Sequence, residues 1–596
     1  MCGICGELNF TGKTPDLATL DRMRDKLISR GPNQSGIYSN GPLAFGHRRL
    51  TIIDPSFRSH QPMTDHNLGI TIVFNGTIYN HPALREELKS RGYSFFSEGD
   101  TEVILKAYDA WGEECPKHLH GMFAFAVWDE RKKSMFLCRD RVGIKPLYFS
   151  LSSDKIRFAS NMQALLATGG IDTDIDPIAL HHHLTLHAVV PAPRTLLQGV
   201  RKLEPGTSMT VDQHGRQHTR RYWHLEAQRP DRSVSEEEWI EKVHFSLNKA
   251  VQQYFSVADV PVGVLLSGGL DSSLLVGLLA KAGIENIKTF SIGFEDAPSE
   301  KGNEFKFSDL IAEHFHTDHH RYTLSNTEVL KHLPDAVRAM SEPMVAQDAV
   351  AFYLLSQRVS QTVPVVQSGQ GADEVFAGYF WYPLMAAEQG DLVERFRKYY
   401  FDRSHSEFME TVHPDYHRGD CTSELIRELL SQKDAATDMD KIWRMDITTL
   451  VVDDPVKRVD NMTMAWGLEA RVPYLDHTVV ETALQMPPAL KLKENGKYPL
   501  KRIARDLLPA AVIDRPKGYF PVPALKYIQG DFLDFMRDTL LSKQCRQRGL
   551  FRPSYVHKLL SAPDQYMTPL QGSKLWHLAL LETWLQTHVD SSGLQE

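Results

Sequence analysis

An apolar strand, a tight glycine turn and an apolar helix follow one another at residues 260–279, in VPVGVLLSGGLDSSLLVGLL. The strand ends at Leu266, Ser267-Gly268-Gly269 forms the turn, and a helix begins near Asp271. Strand, loop and helix in this order predict a parallel α/β unit. Glycines let the backbone approach an anion, and a helix N-terminus directs N–H groups at it. The spacing and the absence of a Lys-Ser/Thr ending exclude a Walker A loop.

The sequence on either side of this segment divides the chain. Residues 1 to about 150 alternate as short strands and turns, which indicates a mostly antiparallel sheet. From about 385 onward the pattern is almost wholly helical. A polar, turn-rich stretch separates the halves, so we predict an N-terminal domain at 1–200, a linker at 201–239 and an α/β domain at 240–596.

Composition excludes several classes of protein. The 596 residues are 42% hydrophobic, enough for large cores, and the formal net charge of −8 does not mark a nucleic-acid binder. No apolar stretch is long enough for a membrane-spanning helix, and the start, MCGICGELNF, is unlike a secretory signal. Six cysteines are too few for a disulfide framework, so we expect a cytoplasmic protein.

Cys2 follows the initiator methionine, whose removal is expected because residue 2 is small. Cys2 would then carry a thiol and a free α-amine, and an α-amine titrates near neutral pH. A thiol beside its own base is an activated nucleophile. Taken alone, however, a cysteine at position 2 is more often an ordinary residue.

Four motifs place Cys2 in a recognisable context: RGPNQSG at 30–36, GHRRL at 46–50, FNGTIYN at 74–80 and GDTE at 99–102. Together with Cys2 they resemble the class II glutamine amidotransferases, whose N-terminal nucleophile hydrolyses glutamine. The resemblance covers about the first 190 residues and implies a four-layer αββα sandwich.

The residue types fit a glutamine substrate. Arg49 would pair with the α-carboxylate, and Asp100 would hold the α-ammonium. The Asn75 side chain and the Gly76 N–H would form an oxyanion hole. The resemblance implies the same roles. Thr77 departs from the family pattern, because many relatives have glutamate at this position. The predicted glutamine-binding site therefore lacks one carboxylate.

The loop SGGLDSS resembles that of ATP pyrophosphatases, which adenylate a substrate and release pyrophosphate. Nearly the whole chain resembles the asparagine synthetase family, which fuses a class II glutaminase to such a domain. The resemblance implies MgATP as a cofactor, with Asp271 and Asp373 as magnesium ligands. The ATP-binding residues it implies are Leu266, Ser267, Gly268, Gly269, Asp271, Ser272, Ile292, Ser368 and Gly369.

Further carry-overs concern charged residues of the second half. Lys517, in DRPKGYF, matches a family lysine that faces the pyrophosphate, where a cation would stabilise the leaving group. Lys501 is a second basic candidate. Glu469 and Arg471, in LEARVPYLD, are expected to stabilise the helical region near the active site.

The acceptor is predicted from resemblance alone. Relatives that activate aspartate typically read Ser-Gly-Glu-Gly where this chain has Gln370 in Ser-Gly-Gln-Gly. HAVVPAPRTLLQG at 187–199, DRPKGYFPVP and PLQGSKLWHLALLETWL look closer to the N-acetylglutaminylglutamine amidotransferases, which amidate a modified dipeptide used as an osmoprotectant. Asparagine synthesis from aspartate is the alternative, and a non-catalytic sensor of glutamine or nucleotide is a more distant one.

The combined hypothesis is a glutamine-hydrolysing, AMP-forming amidotransferase, a carbon–nitrogen ligase. Its partners would be glutamine, ATP and a small carboxylate acceptor, with no nucleic acid or membrane, and homodimerisation is implied by the family. An internal ammonia channel between the two sites is expected, because free ammonia would be protonated or lost in water. His181, His182, His183 and His187 resemble metal spacing, but we interpret them as structural or solvated.

Overall fold

The computed structural model describes residues 2–295, 304–515 and 528–590. Its strands form three sheets. The strands are β1 Gly3–Asn9, β2 Gln34–Asn40, β3 Leu43–Arg49, β4 Met63–Asp65, β5 Ile70–Ile78, β6 Gly121–Asp129, β7 Ser134–Arg139, β8 Tyr148–Leu151, β9 Lys155–Ala159, β10 Arg201–Lys202, β11 Thr207–Asp212, β12 Gln217–Arg221, β13 Val262–Leu265, β14 Lys288–Phe294, β15 Asp318–Leu324, β16 Val365–Gln367 and β17 Glu469–Arg471.

Helices account for most of the remainder. They are α1 Leu17–Asp25, α2 His81–Ser90, α3 Asp100–Trp111, α4 Met162–Leu166, α5 Pro177–Thr185, α6 Glu236–Ser256, α7 Leu270–Lys281, α8 Phe305–His314, α9 Asn326–Ala339, α10 Ala349–Val359, α11 Ala372–Val375, α12 Trp381–Ala387, α13 Leu392–Tyr400, α14 His405–Thr411, α15 Cys421–Ser431, α16 Asp438–Met445, α17 Lys457–Met464, α18 His477–Leu484, α19 Pro488–Lys491, α20 Tyr498–Ala504, α21 Ala510–Ile513, α22 Gly530–Leu540, α23 Lys543–Arg548, α24 Pro553–Ser561 and α25 Lys574–His588. Within the described ranges, none of these helices has the length and apolar character needed to cross a membrane.

Two antiparallel six-stranded sheets stack face to face in the N-terminal half. Their strand orders are β10-β8-β9-β1-β3-β2 and β12-β11-β7-β6-β5-β4. Ile4, Phe45, Val73 and Trp128 fill the space between them. Helices α1 and α4 cover the outer face of the first sheet, and α2 and α3 cover that of the second. The predicted αββα sandwich and α/β multidomain fold class are confirmed.

The first half of the segment expected to be a linker contains three strands. The strand β10 lies at the edge of the first sheet, while β11 and β12 extend the second, with β11 paired to β7. Residues 201–221 therefore complete the sandwich, and the passage to the second half occupies 222–235. The polar, turn-rich composition arises because β12 is an edge strand with an exposed face.

The third sheet is wholly parallel, in the order β15-β14-β13-β16-β17. The strand β13 is central, buried and followed directly by the glycine turn and α7, as the apolar pattern predicts. In such sheets ligands bind outside the carboxyl ends of the strands. The turn after β13 and the turn after β16 open at this same edge.

The two halves share one core. A single apolar cluster includes Ile52 and Met122 of the sandwich together with Val264 and Leu274 of the second half. Buried ion pairs cross the same boundary: Arg30 pairs with Asp460 at 2.7 Å, and the Lys202 ammonium lies 2.9 Å from Glu342 and 2.7 Å from Asp453. A buried charge is costly unless it is paired, so these contacts hold the halves in one arrangement.

Candidate functional site

Cys2 is buried beside Asn75 at the start of the first sheet. The Cys2 nitrogen donates a hydrogen bond to Asn75 Oδ1 at 3.0 Å. Asn75 Nδ2, also buried, has no hydrogen-bond partner among the described residues. A buried donor without an acceptor is costly, and such donors occur where a ligand atom completes the bond. The hydrogen bond from Cys2 thus orients the Asn75 side chain, whose Nδ2 group can still donate a hydrogen bond to a ligand.

Gly76 follows on β5, where its neighbour on β6 is Phe123. A Cβ atom at Gly76 would lie 2.1 Å from the Met122 carbonyl oxygen. No side chain fits there, so the close approach of β5 and β6 requires glycine. Burial raises the pKa of the Cys2 thiol, although the N-terminal ammonium and Arg49 act in the opposite direction.

Arg49 ends β3 and is buried at the same edge. Its guanidinium donates to Gln34 Oε1 at 3.0 Å and to the carbonyl oxygens of Ile53, Asp54 and Ser56. These acceptors are neutral, so they hold the guanidinium group in place without neutralising its positive charge. The positive charge stays close enough to Cys2 and Asp100 to affect the titration of both groups.

Asp100 opens α3 and is also buried. One carboxylate oxygen accepts from the Ile78 N–H at 3.0 Å, which ties α3 to the end of β5. Burial raises the Asp100 pKa from 3.8 to about 6. The nearby charge of Glu469 acts in the same direction, whereas the hydrogen bond from Ile78 opposes it. The five predicted glutaminase residues thus lie close together: Cys2, Arg49, Asn75, Gly76 and Asp100.

Thr77 contacts the second half of the chain. Its hydroxyl donates to Glu469 Oε1 at 3.1 Å, and Arg471 Nε donates to the same oxygen at 2.6 Å. Burial would raise the pKa of Glu469, but the N-terminal ammonium, Arg471 and Lys145 together lower it to about 2. An ionised carboxylate from the other domain therefore lies at the position where the sequence lacks one.

The turn after β13 is held by its own serines. The Ser267 N–H donates to Ser272 Oγ at 3.2 Å, and the Gly269 N–H donates to Ser267 Oγ at 3.3 Å. Gly268 has a φ of +74°, and a Cβ atom there would lie 2.6 Å from the Ser308 nitrogen of α8. Glycine is required on both grounds.

A cavity of about 810 Å³ opens over this turn. The predicted residues that line it are Leu266, Ser267, Gly269, Asp271, Ser272, Ile292, Ser368, Gly369 and Asp373. Gly268 is absent from the lining, because it packs against α8 instead. Gln370 and Lys501 also line the cavity. Residues distant in sequence thus meet at the carboxyl edge of the parallel sheet, the usual place for a ligand.

Asp271 and Asp373 face each other across one ammonium group. Lys497 Nζ lies 2.5 Å from Asp271 Oδ2 and 2.7 Å from Asp373 Oδ1. Two carboxylates at the wall of this cavity form the donor set that Mg²⁺ prefers. The present geometry shows that a cation is accommodated between them.

Sequence reasoning missed two cations of this site. Lys497 precedes α20 in a left-handed backbone conformation, and nothing local marks it as a partner of Asp271, 226 residues away. Arg515 lines the cavity, has Nη2 3.7 Å from the Cβ position of Gly269 and pairs with Glu304 at 2.9 Å. Its position two residues before Lys517 was the available signal. Lys517 itself lies outside the described residues.

The strand β17 joins the two sites. Its first residue, Glu469, contacts Thr77 next to Asn75 and Gly76, and the carbonyl of its last residue, Arg471, accepts from the Ser368 N–H at 2.8 Å. Ser368 lines the cavity. The contact of Glu469 with Thr77 and the contact of Arg471 with Ser368 are therefore only about 7 Å apart along this three-residue strand. Glu469 and Arg471 themselves lie in the parallel sheet.

Comparison with known proteins agrees with both halves. The family model described as glutamine amidotransferase domain matches residues 1–223, and the model described as asparagine synthase matches residues 242–586. Asparagine synthetase [glutamine-hydrolyzing] 1 of Bacillus subtilis is 30% identical over 100% of this chain and 98% of its own length. A putative asparagine synthetase of Mycobacterium tuberculosis is 31% identical over 94% of this chain and 92% of its own length. Asparagine synthetase B of Escherichia coli is 28% identical over 87% and 82%. The chain belongs to the asparagine synthase family and is a glutamine-hydrolysing, ATP-dependent amidotransferase.

Proposed function

We propose that this enzyme converts the C-terminal carboxylate of N-acetylglutaminylglutamine to the amide. The carboxylate oxygen attacks the α-phosphorus of ATP, pyrophosphate leaves, and an acyl adenylate forms. Ammonia from glutamine then attacks the acyl carbon, and AMP leaves. The runner-up acceptor is aspartate, which would give asparagine, and the names of the relatives favour it.

The distribution of charge in the cavity favours the dipeptide. Aspartate carries an α-ammonium that needs an anionic partner, whereas the amine of the acetylated dipeptide is capped and neutral. Gln370, at the position where aspartate-activating relatives typically have glutamate, offers an amide that can bond to peptide groups. The neutral side chain suits the capped, neutral amine end of the dipeptide.

The remaining carboxylates of the cavity are engaged. Asp271 and Asp373 share Lys497, and Asp348 pairs with Arg458. Glu304 pairs with Arg515, and Asp514 and Glu494 lie within 4.0 Å of Arg505. Each carboxylate that lines the described part of the cavity thus has a basic partner. This pairing is the observation that carries the proposal.

The glutaminase half supplies the ammonia. After removal of Met1, the nitrogen now bonded to Asn75 Oδ1 becomes an α-amine and accepts the proton of the Cys2 thiol. The thiolate attacks the glutamine amide, and Asn75 Nδ2 and the Gly76 N–H stabilise the oxyanion. Ammonia leaves, water hydrolyses the thioester and glutamate is released. Arg49 and Asp100 bind the α-carboxylate and α-ammonium.

Asp271 and Asp373 would hold Mg²⁺, which neutralises phosphate charge when ATP is bound. Lys497 and Arg515 would face the same phosphates. Lys517 is proposed to stabilise the departing pyrophosphate. Neutral ammonia would pass through the boundary between the halves, where Met122 and Leu266 belong to one continuous apolar cluster.

The test supplies glutamine and MgATP with either acceptor and identifies products by mass spectrometry. We expect the dipeptide amide and AMP, with no asparagine. Asparagine formed in preference to the dipeptide amide would overturn the acceptor proposal and leave the amidotransferase chemistry intact. Gln370→Glu is the companion variant: it should lower dipeptide turnover, whereas Gln370→Asn, which keeps the amide, should lower it less.

A further inference from the structure

A compact set of metal-binding side chains lies away from both reaction sites. It consists of His187 after α5, Asp402 after α13 and His577 in the first turns of α25. One potential ligand atom from each residue lies within 4.8 Å of the other two. Asp402 and His577 are each 1% exposed. Three segments distant in sequence therefore bring two imidazoles and a carboxylate together in a buried place.

The distances fit a shared ion. His187 Nδ1 lies 3.2 Å from Asp402 Oδ2, and His577 Nδ1 lies 3.4 Å from the same oxygen. The first contact is a hydrogen bond at the long end of the usual range of about 2.7–3.2 Å, and the second is longer than that range. In a tetrahedral zinc site with bonds of about 2.0–2.2 Å, neighbouring ligand atoms are about 3.3–3.5 Å apart.

Buried polar atoms around this set lack partners. Asp402 Oδ1 and His577 Nε2 have no hydrogen-bond partner within the described parts of the chain. Both nitrogens of His183, itself 2% exposed, are also unpartnered there, and His183 interacts electrostatically with His187 and His577. So many unsatisfied polar atoms close together in a buried place indicate that a bound ligand, and not the polypeptide, completes their interactions.

The surrounding backbone holds these segments in place. The Asp402 N–H donates to the Thr185 carbonyl at 2.9 Å, and the Arg403 guanidinium donates to the carbonyls of Leu184 and Lys574 at 3.1 Å each. The Cβ position of Gly572 lies 3.0 Å from His577 Nε2, so a larger residue would press on that ring. The three ligand-bearing segments are thus fixed independently of the ligands.

We propose that His187, Asp402 and His577 form a binding site for one divalent transition-metal ion, with Zn²⁺ the best match to two imidazoles and a carboxylate. His183 or water completes the coordination. The ion would connect the segment after α5 to α13 and to the C-terminal helix α25, and would be structural. The histidines first interpreted as structural thereby acquire a specific ligand.

A second histidine cluster provides the control. His181, His405 and Asp420 also meet the distance criterion. There, however, both nitrogens of His181 are bonded to other side chains: Nδ1 lies 2.6 Å from Thr422 Oγ1, and Nε2 lies 3.0 Å from His405 Nδ1. At the proposed site, by contrast, His577 Nε2 and both nitrogens of His183 have no partner among the described residues. We expect no ion at this place.

The experiment measures zinc in the full chain after expression in zinc-supplemented medium and removal of loosely bound metal. We expect about one ion per chain in the parent protein and in His405→Gln, and at least about 100-fold weaker binding in Asp402→Asn. Should Asp402→Asn fold poorly, cobalt titration of the chelator-treated parent must give the intense visible absorption of a tetrahedral site, and zinc must raise its melting temperature. A parent chain that binds no zinc and gives no cobalt spectrum, or equal binding in Asp402→Asn, overturns the proposal.

Discussion

The Thr77 hydroxyl donates a hydrogen bond to Glu469 Oε1 across the boundary between the glutaminase sandwich and the parallel sheet, at 3.1 Å. Thr77 directly follows the proposed oxyanion residues, and Glu469 begins the strand whose other end contacts Ser368 in the turn after β16. The contact is buried, and its acceptor is held ionised by neighbouring positive charges. The two reaction sites are therefore linked through one side-chain pair.

Replacing Thr77 by glutamate should place two carboxylates in hydrogen-bond contact. We expect Thr77→Glu to lower the free energy of unfolding by about 2–4 kcal/mol, because like charges in a buried site repel. Denaturant unfolding measures this directly. The neutral variant Thr77→Gln has nearly the same size and should lose much less. Equal losses in the two variants would show that volume, and not charge, governs position 77.

Cys2→Ala should abolish glutaminase activity and glutamine-dependent amidation. Synthesis from added ammonium should continue, because Asp271, Ser267 and the rest of the cavity do not use the thiol. The measurements are glutamate release and AMP formation with each nitrogen source. Glutamate release at the parent rate from Cys2→Ala would contradict the role of Cys2 as nucleophile.

Lys497→Met should reduce AMP formation at least about 100-fold, since it removes the cation that holds Asp271 and Asp373 together and faces the phosphates. Glutaminase activity measured without ATP should stay near the parent value. Lys493→Met is the matched control, because that ammonium is half-exposed and pairs with Glu236. A similar loss in both variants would count against a specific role for Lys497.

The Asp100 pKa of about 6 predicts a pH dependence. Only the ionised carboxylate can hold the glutamine ammonium, so KM for glutamine should rise as the pH falls below about 6. The stability effect has the opposite sense. Because the folded pKa is above the ordinary value of 3.8, the folded state binds more protons between these values, and the contribution of Asp100 to stability falls as the pH rises.

Asp100→Asn separates the two effects. The variant should bind glutamine weakly at every pH, and its KM should no longer change near pH 6. Initial rates of glutamate release at saturating and limiting glutamine give KM across the range. A KM profile identical to that of the parent would assign the transition to another group.

Several elements were predictable because their signals are local. The apolar residues up to Leu266 and the glycines after them predict a strand and a turn from local sequence alone. The structure has both. The partners of Asp271 could not be predicted in the same way. Lys497 is brought to it by the packing of α20 on α7, which depends on the whole core. Of the strands at 201–221, β10 and β12 were missed because they are edge strands, and the exposed, polar side chains of β12 resemble a loop in composition. The strand β11 lies between β12 and β7, but its polar residues Thr207, Ser208 and Thr210 hide it in the same way.

The place of Glu469 and Arg471 in the parallel sheet could not be predicted from the sequence for a related reason. A three-residue strand is too short to show alternation, and the surrounding sequence is helical. Their pairing with β16 becomes visible only when the parallel sheet is assembled.

The short strand β17 has a consequence for how such enzymes can be recombined. A chimera that joined this parallel-sheet domain to a glutaminase half carrying glutamate at position 77 would bring that carboxylate against Glu469. The halves have separate chemistries, yet the residue that each can carry at this buried contact depends on the residue that the other half places there. Exchange of either half alone would therefore require a compensating substitution at position 77 or position 469 in the other half.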